Sequence, residues 1–110
     1  MSFRIDPAKI ILYLLTTDPN AAPEALGKSK FFHSIGYDAN NWTMLRDALL
    51  QHPHTSSLEA ARRNKHGQKL LYRCSMPVAP NGGTYCIRSV WQERNAGYWL
   101  STAYPQKVGQ

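Results

Sequence analysis

Hydrophobic positions follow a helical period up to about residue 52 and a strict alternation of two beyond it. In "RIDPAKIILYLL" Asp6 supplies an N-cap, Pro7 takes the first helical position, and Ile5 is placed to staple onto Ile10. "TTDPNAAP", Thr16 to Pro23, is turn chemistry that ends this first helix. A second helix is predicted from about Glu24 to Ile35, stopping at Gly36, with Leu26, Phe31, Phe32 and Ile35 near one face and Lys28 and Lys30 off it. Asn40 and Asn41 cap a third, through about Gln51, buried by Trp42, Leu45 and Leu49, before "HPHTSS" breaks the pattern.

The alternation begins in "KLLYRCSMPV", which sets Leu70, Tyr72, Cys74 and Met76 against Leu71, Arg73 and Ser75. "APNGGT" reads as a hairpin turn, "TYCIRSVWQ" as the return strand, "NAG" as a second turn, and "YWLSTAY" as a last strand ended by Pro105. "SSLEAARR" is assigned as the first strand, with a short helix as the alternative. The predicted architecture is α+β: about three N-terminal helices packed on a roughly four-stranded antiparallel β-sheet meander. It forms one domain over residues 1–110, with a helical half at about 6–52 and the meander at about 57–105.

Placing Asn81-Gly82 at the hairpin tip fixes the faces. Tyr72, Cys74 and Met76 then share the helix-bearing face with Ile87, Ser89 and Trp91, and the other face shows Arg73, Ser75 and Arg88. In this register Cys74 faces Ser89 and Cys86 faces Pro77, so the thiols are expected to be free, which suits a reducing, cytoplasmic setting.

Charge narrows the partners. Thirteen Lys and Arg against 7 Asp and Glu give a net charge of +6 on 110 residues, which favours nucleic acid first and an anionic membrane surface second. A basic surface serving only solubility is the plainer alternative. The longest apolar run, "IILYLL", is too short to cross a bilayer, and Asp6 and Pro7 interrupt any secretory signal.

Several chemistries lack their residues. His33, His52, His54 and His66 show no zinc-type spacing, "NGGT" lacks the lysine of a phosphate-binding loop, both cysteines fall mid-strand, and the carboxylates are scattered. No metal and no cofactor is expected. What remains is Lys, Arg, His, Ser, Thr and Tyr, the groups with which a metal-free ribonuclease sets an RNA 2′-hydroxyl against its own phosphorus. DNA lacks that internal nucleophile.

"KIILYLL", "GKSKFFHSIGY", "W..LRDALLQH", "IRSVWQ" and "STAYP" occur in an order that resembles a family of small uncharacterised bacterial domains, found alone, at the ends of polymorphic toxins, or attached to phage head morphogenesis proteins. That family resembles the superfamily of barnase, EndoU, colicin and RelE-like ribonucleases, whose helices precede a four-stranded antiparallel sheet. The resemblance spans nearly the whole chain. By position, the family lysine falls on Lys28, the strand arginine on Arg88 followed by Ser89, and the closing motif on Thr102, Ala103, Tyr104 and Pro105. Relatives carry a His-Pro-x-Gly lead-in where this chain has "DPNAAPEAL".

The resemblance implies a metal-independent ribonuclease of toxin type acting on RNA, such as tRNA or mRNA, and an acidic antitoxin or immunity protein as partner. Lys28 would contact phosphate or stabilise transition-state charge, as against an ordinary exposed lysine. His33 would be the base, as against a structural histidine. Arg88 must reach an acid or a phosphate, and Thr102 and Tyr104 would donate to the phosphate, with Tyr104 also a possible acid, as against strand packing. Lys30, Arg73, Ser75 and Ser89 would contact RNA. His52 is expected to cap the third helix, Trp91 to lie in the core, and Trp99 to be free to stack on a base. Two competitors keep the basic face without catalysis: a nucleic-acid-binding module, and a protein-interaction domain for an acidic partner.

Overall fold

The computed structural model describes residues 2–106. The first helical segment is short and wound wide: Lys9–Leu14 makes π-type hydrogen bonds, with the Leu15 amide donating to the Ile10 carbonyl at 2.8 Å. Asp6 opens it, its carboxylate accepting from the Ala8 amide at 3.0 Å. Helix α1 covers Pro23–Ser34. It ends in a Schellman pair, Tyr37 amide to Phe32 carbonyl (3.0 Å) and Gly36 amide to His33 carbonyl (3.1 Å). Gly36 sits at φ +109°, and a Cβ there would come 2.8 Å from Pro80 Cβ, so left-handed backbone and close approach both require glycine. Helix α2 covers Trp42–Thr55 and follows a 3₁₀ turn at Ala39–Asn41. Its entry is capped by Asp38, which accepts from the Asn40 and Asn41 amides, rather than by an asparagine alone. The helix runs through Pro53, whose missing amide removes one bond only in the last turn.

Five strands, not four, make the sheet: β1 Phe3–Arg4, β2 Ser57–Asn64, β3 Gly67–Arg73, β4 Ile87–Arg94 and β5 Gly97–Pro105, in the order β1-β5-β4-β3-β2. β2 to β5 form the expected antiparallel meander, and β1 adds to β5 in parallel, making the sheet mixed. Two residues carry no period, so β1 leaves no trace in the pattern.

The sheet's inner face meets the helices through Leu70, Ile87, Trp91, Tyr98, Leu100 and Ala103, packed on Ile10, Leu14, Phe32, Leu45 and Leu49. The β3–β4 register departs from the expected one by two residues: Tyr72 pairs with Ser89 and Arg73 with Arg88. A shift of two preserves the faces. The cause is the connection, which is a wide loop rather than a two-residue tip. Cys74 and Ser75 take φ of +67° and +54°, and the reversal falls at Ala79–Gly82, where the Gly82 amide donates to the Ala79 carbonyl at 2.8 Å. The free-thiol expectation is corrected, because Cys74 and Cys86 are joined by a disulfide across this loop. The argument for a reducing compartment goes with it. No helix among the described residues is long and apolar enough to cross a membrane.

Candidate functional site

Ser101 is the extra residue of a bulge between β4 and β5, where Val90 pairs with Thr102 but Trp91 pairs with Leu100. The bulge inverts the alternation within β5. Leu100 and Ala103 both reach the core, while Trp99, Thr102 and Tyr104 share the outer face. β1 covers β5 only at Tyr98 and Trp99, so the edge beyond is left for the π-helical segment and α1.

At that edge the Lys28 ammonium donates to the Tyr13 hydroxyl at 2.5 Å and to the Thr102 hydroxyl at 3.0 Å, with the two hydroxyls 3.3 Å apart. It also lies 5.1 Å from the Tyr13 ring centre and 5.8 Å from that of Tyr104. Among the described residues Lys28 makes no ion pair. Burial raises the Tyr13 phenol's pKa, but hydrogen bonds to Lys28 and Thr102 and the charges of Lys28 and Lys9 outweigh it and bring the phenol below 10.0.

Tyr104 connects this group to the next, because it hydrogen-bonds Arg88. The Arg88 guanidinium donates to Glu59 Oε1 at 2.8 Å, and its Nε is buried without a hydrogen-bond partner among the described residues. Desolvation lowers the Arg88 pKa, but Tyr104 and Glu59 outweigh it and leave the value raised. Glu59 is the bulged residue of β2, between Leu58 and Ala60. Beside this pair lies a hollow of ≈ 500 Å³, lined by Glu59, Ala60, Arg62, Lys69, Leu71, Arg88 and Val90.

Of the residues singled out in the sequence, Lys28, Thr102, Tyr104 and Arg88 come together, and Arg73 stands opposite Arg88 on the same face. His33 does not join them: its Nε2 lies 3.2 Å from the Leu15 carbonyl, beside a separate hollow lined by Leu12, Thr16 and Asp38. Lys30 is exposed on α1, and Ser75 is exposed in the disulfide loop, its carbonyl accepting from the Thr55 hydroxyl. Ser89 is fully buried, which removes it from any surface.

Ser89 belongs to a directed core network with His52, also fully buried. The His52 Nε2 must donate to the Cys74 carbonyl (2.5 Å), so neutral Nδ1 accepts from Ser89 Oγ (2.7 Å), which accepts from Trp91 Nε1 (2.8 Å). His52 is therefore an internal anchor for the disulfide loop rather than a helix cap. Trp91 lies in the core as expected, and Trp99 sits on the outer face between Arg94 (4.5 Å) and Arg4 (5.9 Å). Sequence reasoning missed Tyr13, whose hydroxyl is the polar handle inside an apolar run, and Glu59, aimed by a bulge that no pattern announces. Among the described residues no group of three or more His, Cys, Asp or Glu side chains could hold a metal ion.

Fold and site together define an α+β protein whose sheet presents a cationic, hydroxyl-bearing outer face at one end. Residues 2–107 match the profile of a family described as "Domain of unknown function (DUF6883)", and the chain belongs to that family. No curated protein matches it at the significance threshold applied. Among solved structures it is similar to a chain in a contact-dependent growth inhibition toxin–immunity protein complex from Klebsiella pneumoniae 342. The TM-score is 0.72 at 14% identity, over 94% of this chain and 92% of that one, a likeness of fold.

Proposed function

We propose that this protein is a toxin-type endoribonuclease that cleaves RNA without a metal ion, through attack of the 2′-hydroxyl on the adjacent phosphorus. The observation that carries the reading is the continuous constellation Tyr13–Lys28–Thr102–Tyr104–Arg88–Glu59, which unites two cations, hydroxyl donors and a carboxylate on one sheet face. The fold shared with a chain of a toxin–immunity complex adds support for the toxin setting and for an acidic immunity or antitoxin protein as a second partner.

In this mechanism Glu59, held by Arg88, takes the proton of the 2′-hydroxyl in the place first considered for His33. The oxygen bonds to phosphorus, Lys28 and Arg88 hold the charge of the phosphorane, and Thr102 donates to a phosphate oxygen. The P–O5′ bond breaks and O5′ receives the proton of Tyr13, whose lowered pKa suits it to the acid role. The products are a 2′,3′-cyclic phosphate and a 5′-hydroxyl. The test is purified protein with total RNA and tRNA in EDTA, beside Arg88→Ala and Glu59→Gln. Discrete cleavage with cyclic ends, reduced by about 10²–10⁴-fold in each variant, is expected. Intact RNA throughout would sink the reading and leave a binding module.

A further inference from the structure

Cross-strand like charges stand out on the outer face. Directly opposite side chains interact most strongly across a sheet, and equal charges there are destabilising. Yet Arg62 pairs with Lys69 across β2–β3, and Arg73 pairs with Arg88 across β3–β4. Glu59 is the one acid lining the hollow, and it is engaged by Arg88. The Arg62–Lys69 pair is exposed and has no ion-pair partner among the described residues.

Four residues along β3 separate Lys69 from Arg73, roughly 13 Å at strand rise. One phosphate cannot touch both pairs. Between them lies a floor of Ala60, Leu71 and Val90, apolar and at the bottom of a hollow within the size range of small-ligand sites. A cation pair at each end of an apolar trough fits a polymer that alternates flat apolar groups with anions.

We propose that the β2–β4 trough is a substrate subsite in which one nucleoside of a single-stranded nucleic acid lies over Ala60, Leu71 and Val90 while the next phosphate is held by Arg62 and Lys69. This deepens the ribonuclease reading and rests on it for the position of the reacting phosphate, at the Lys28–Arg88 end. The strand then runs along β3, away from Lys28, and duplex RNA, which cannot splay a base into the trough, is disfavoured.

The test does not require cleavage. Binding of a fluorescein-labelled ten-nucleotide single-stranded DNA, which lacks the 2′-hydroxyl, is followed by anisotropy against salt for wild type, R62Q/K69Q and R46Q. Arg46 lies on α2, stacked on Trp42 and paired with Asp47, and serves as the control. The slope of log K against log salt is expected to shrink by about 1.4 in R62Q/K69Q, about 0.7 per lost phosphate contact, and to stay unchanged in R46Q. Affinity at about 50 mM salt should fall roughly tenfold in the double variant. An unchanged slope, in that variant or in Lys69→Gln alone, overturns the subsite. Binding of poly-glutamate with no binding of the DNA also overturns it, in favour of an acidic protein. A reduced slope from a wild type that leaves RNA intact upholds the subsite while the ribonuclease reading fails.

Discussion

Breaking the Cys74–Cys86 bond by Cys74→Ser and Cys86→Ser together tests how the basic face is held. The bond spans 12 positions. Closing a loop of that length removes about 9–10 cal/mol/K from the unfolded chain, about 3 kcal/mol at 25 °C. The bond sits one residue beyond Arg73 and two before Arg88, the pair of like charges that faces across β3 and β4. Such a pair costs up to about 1 kcal/mol, so the covalent clasp outweighs the repulsion it closes on. Thermal unfolding followed by circular dichroism should show the double-serine protein melting roughly 10–15 °C below wild type. Thiol titration in guanidinium should detect no free thiol in wild type until reductant is added, then two. Equal melting temperatures together with two free thiols in untreated wild type would refute the reasoning, and the Arg73–Arg88 register would then need another support.

Three further outcomes follow from side-chain geometry. The neutral tautomer of buried His52 is enforced by its partners, burial lowers its pKa, and the Cys74 carbonyl only partly offsets this. The unfolded chain therefore takes up the proton near pH 6.5 while the fold resists it, so stability is full above that pH. From pH 6.5 to 5.5 it should fall by up to about 1.4 kcal/mol per unit, a slope that H66Q keeps and H52Q loses in urea titrations. Lys28→Met should raise the Tyr13 phenol pKa, seen as a later step in ultraviolet titration that Y13F lacks, and should cut any RNA cleavage by about 10²–10³-fold. Lys69→Glu should place a carboxylate opposite Arg62 and raise stability by about 0.2–1 kcal/mol while weakening single-stranded nucleic acid binding, and both moving in one direction would count against the charge-pair argument.

Legibility followed the strength of local physics. Helix ends with turn chemistry, at Pro23 and Gly36, were readable because one residue type satisfies a specific backbone need. Strands β2 to β5 were readable from alternation and turns, but β1 was not, since its two residues are placed by pairing with Tyr98 and Trp99. The hairpin tip was the weakest step. "PNGG" has the composition of a tight turn, and only the wide loop brings Cys74 within bonding distance of Cys86. Ser89 shows two readings in conflict. Alternation put it with Ile87 and Trp91 on the inner face, the motif marked it as an RNA contact, and the structure sides with alternation. Tyr13 and Glu59 escaped because a π-turn and a bulge aim them, and neither device has a pattern of its own.

The arrangement of charge links these features to function. A sheet selected for stability alone would alternate signs across its strands, as the Arg88–Glu59 contact does. Here two cross-strand pairs repeat one sign, the strand ends behind one of them are cross-linked, and the other stays exposed. Lys28, likewise without an ion pair among the described residues, is steadied by two hydroxyls and two aromatic rings instead of a carboxylate. Neutral partners hold an ammonium in place while leaving its charge available, which an ion pair would not. A face that concentrates uncompensated cations and fixes them with covalent and neutral contacts is stabilised by the anion it receives. Occupancy by a polyanion should therefore raise the melting temperature, and most at low salt.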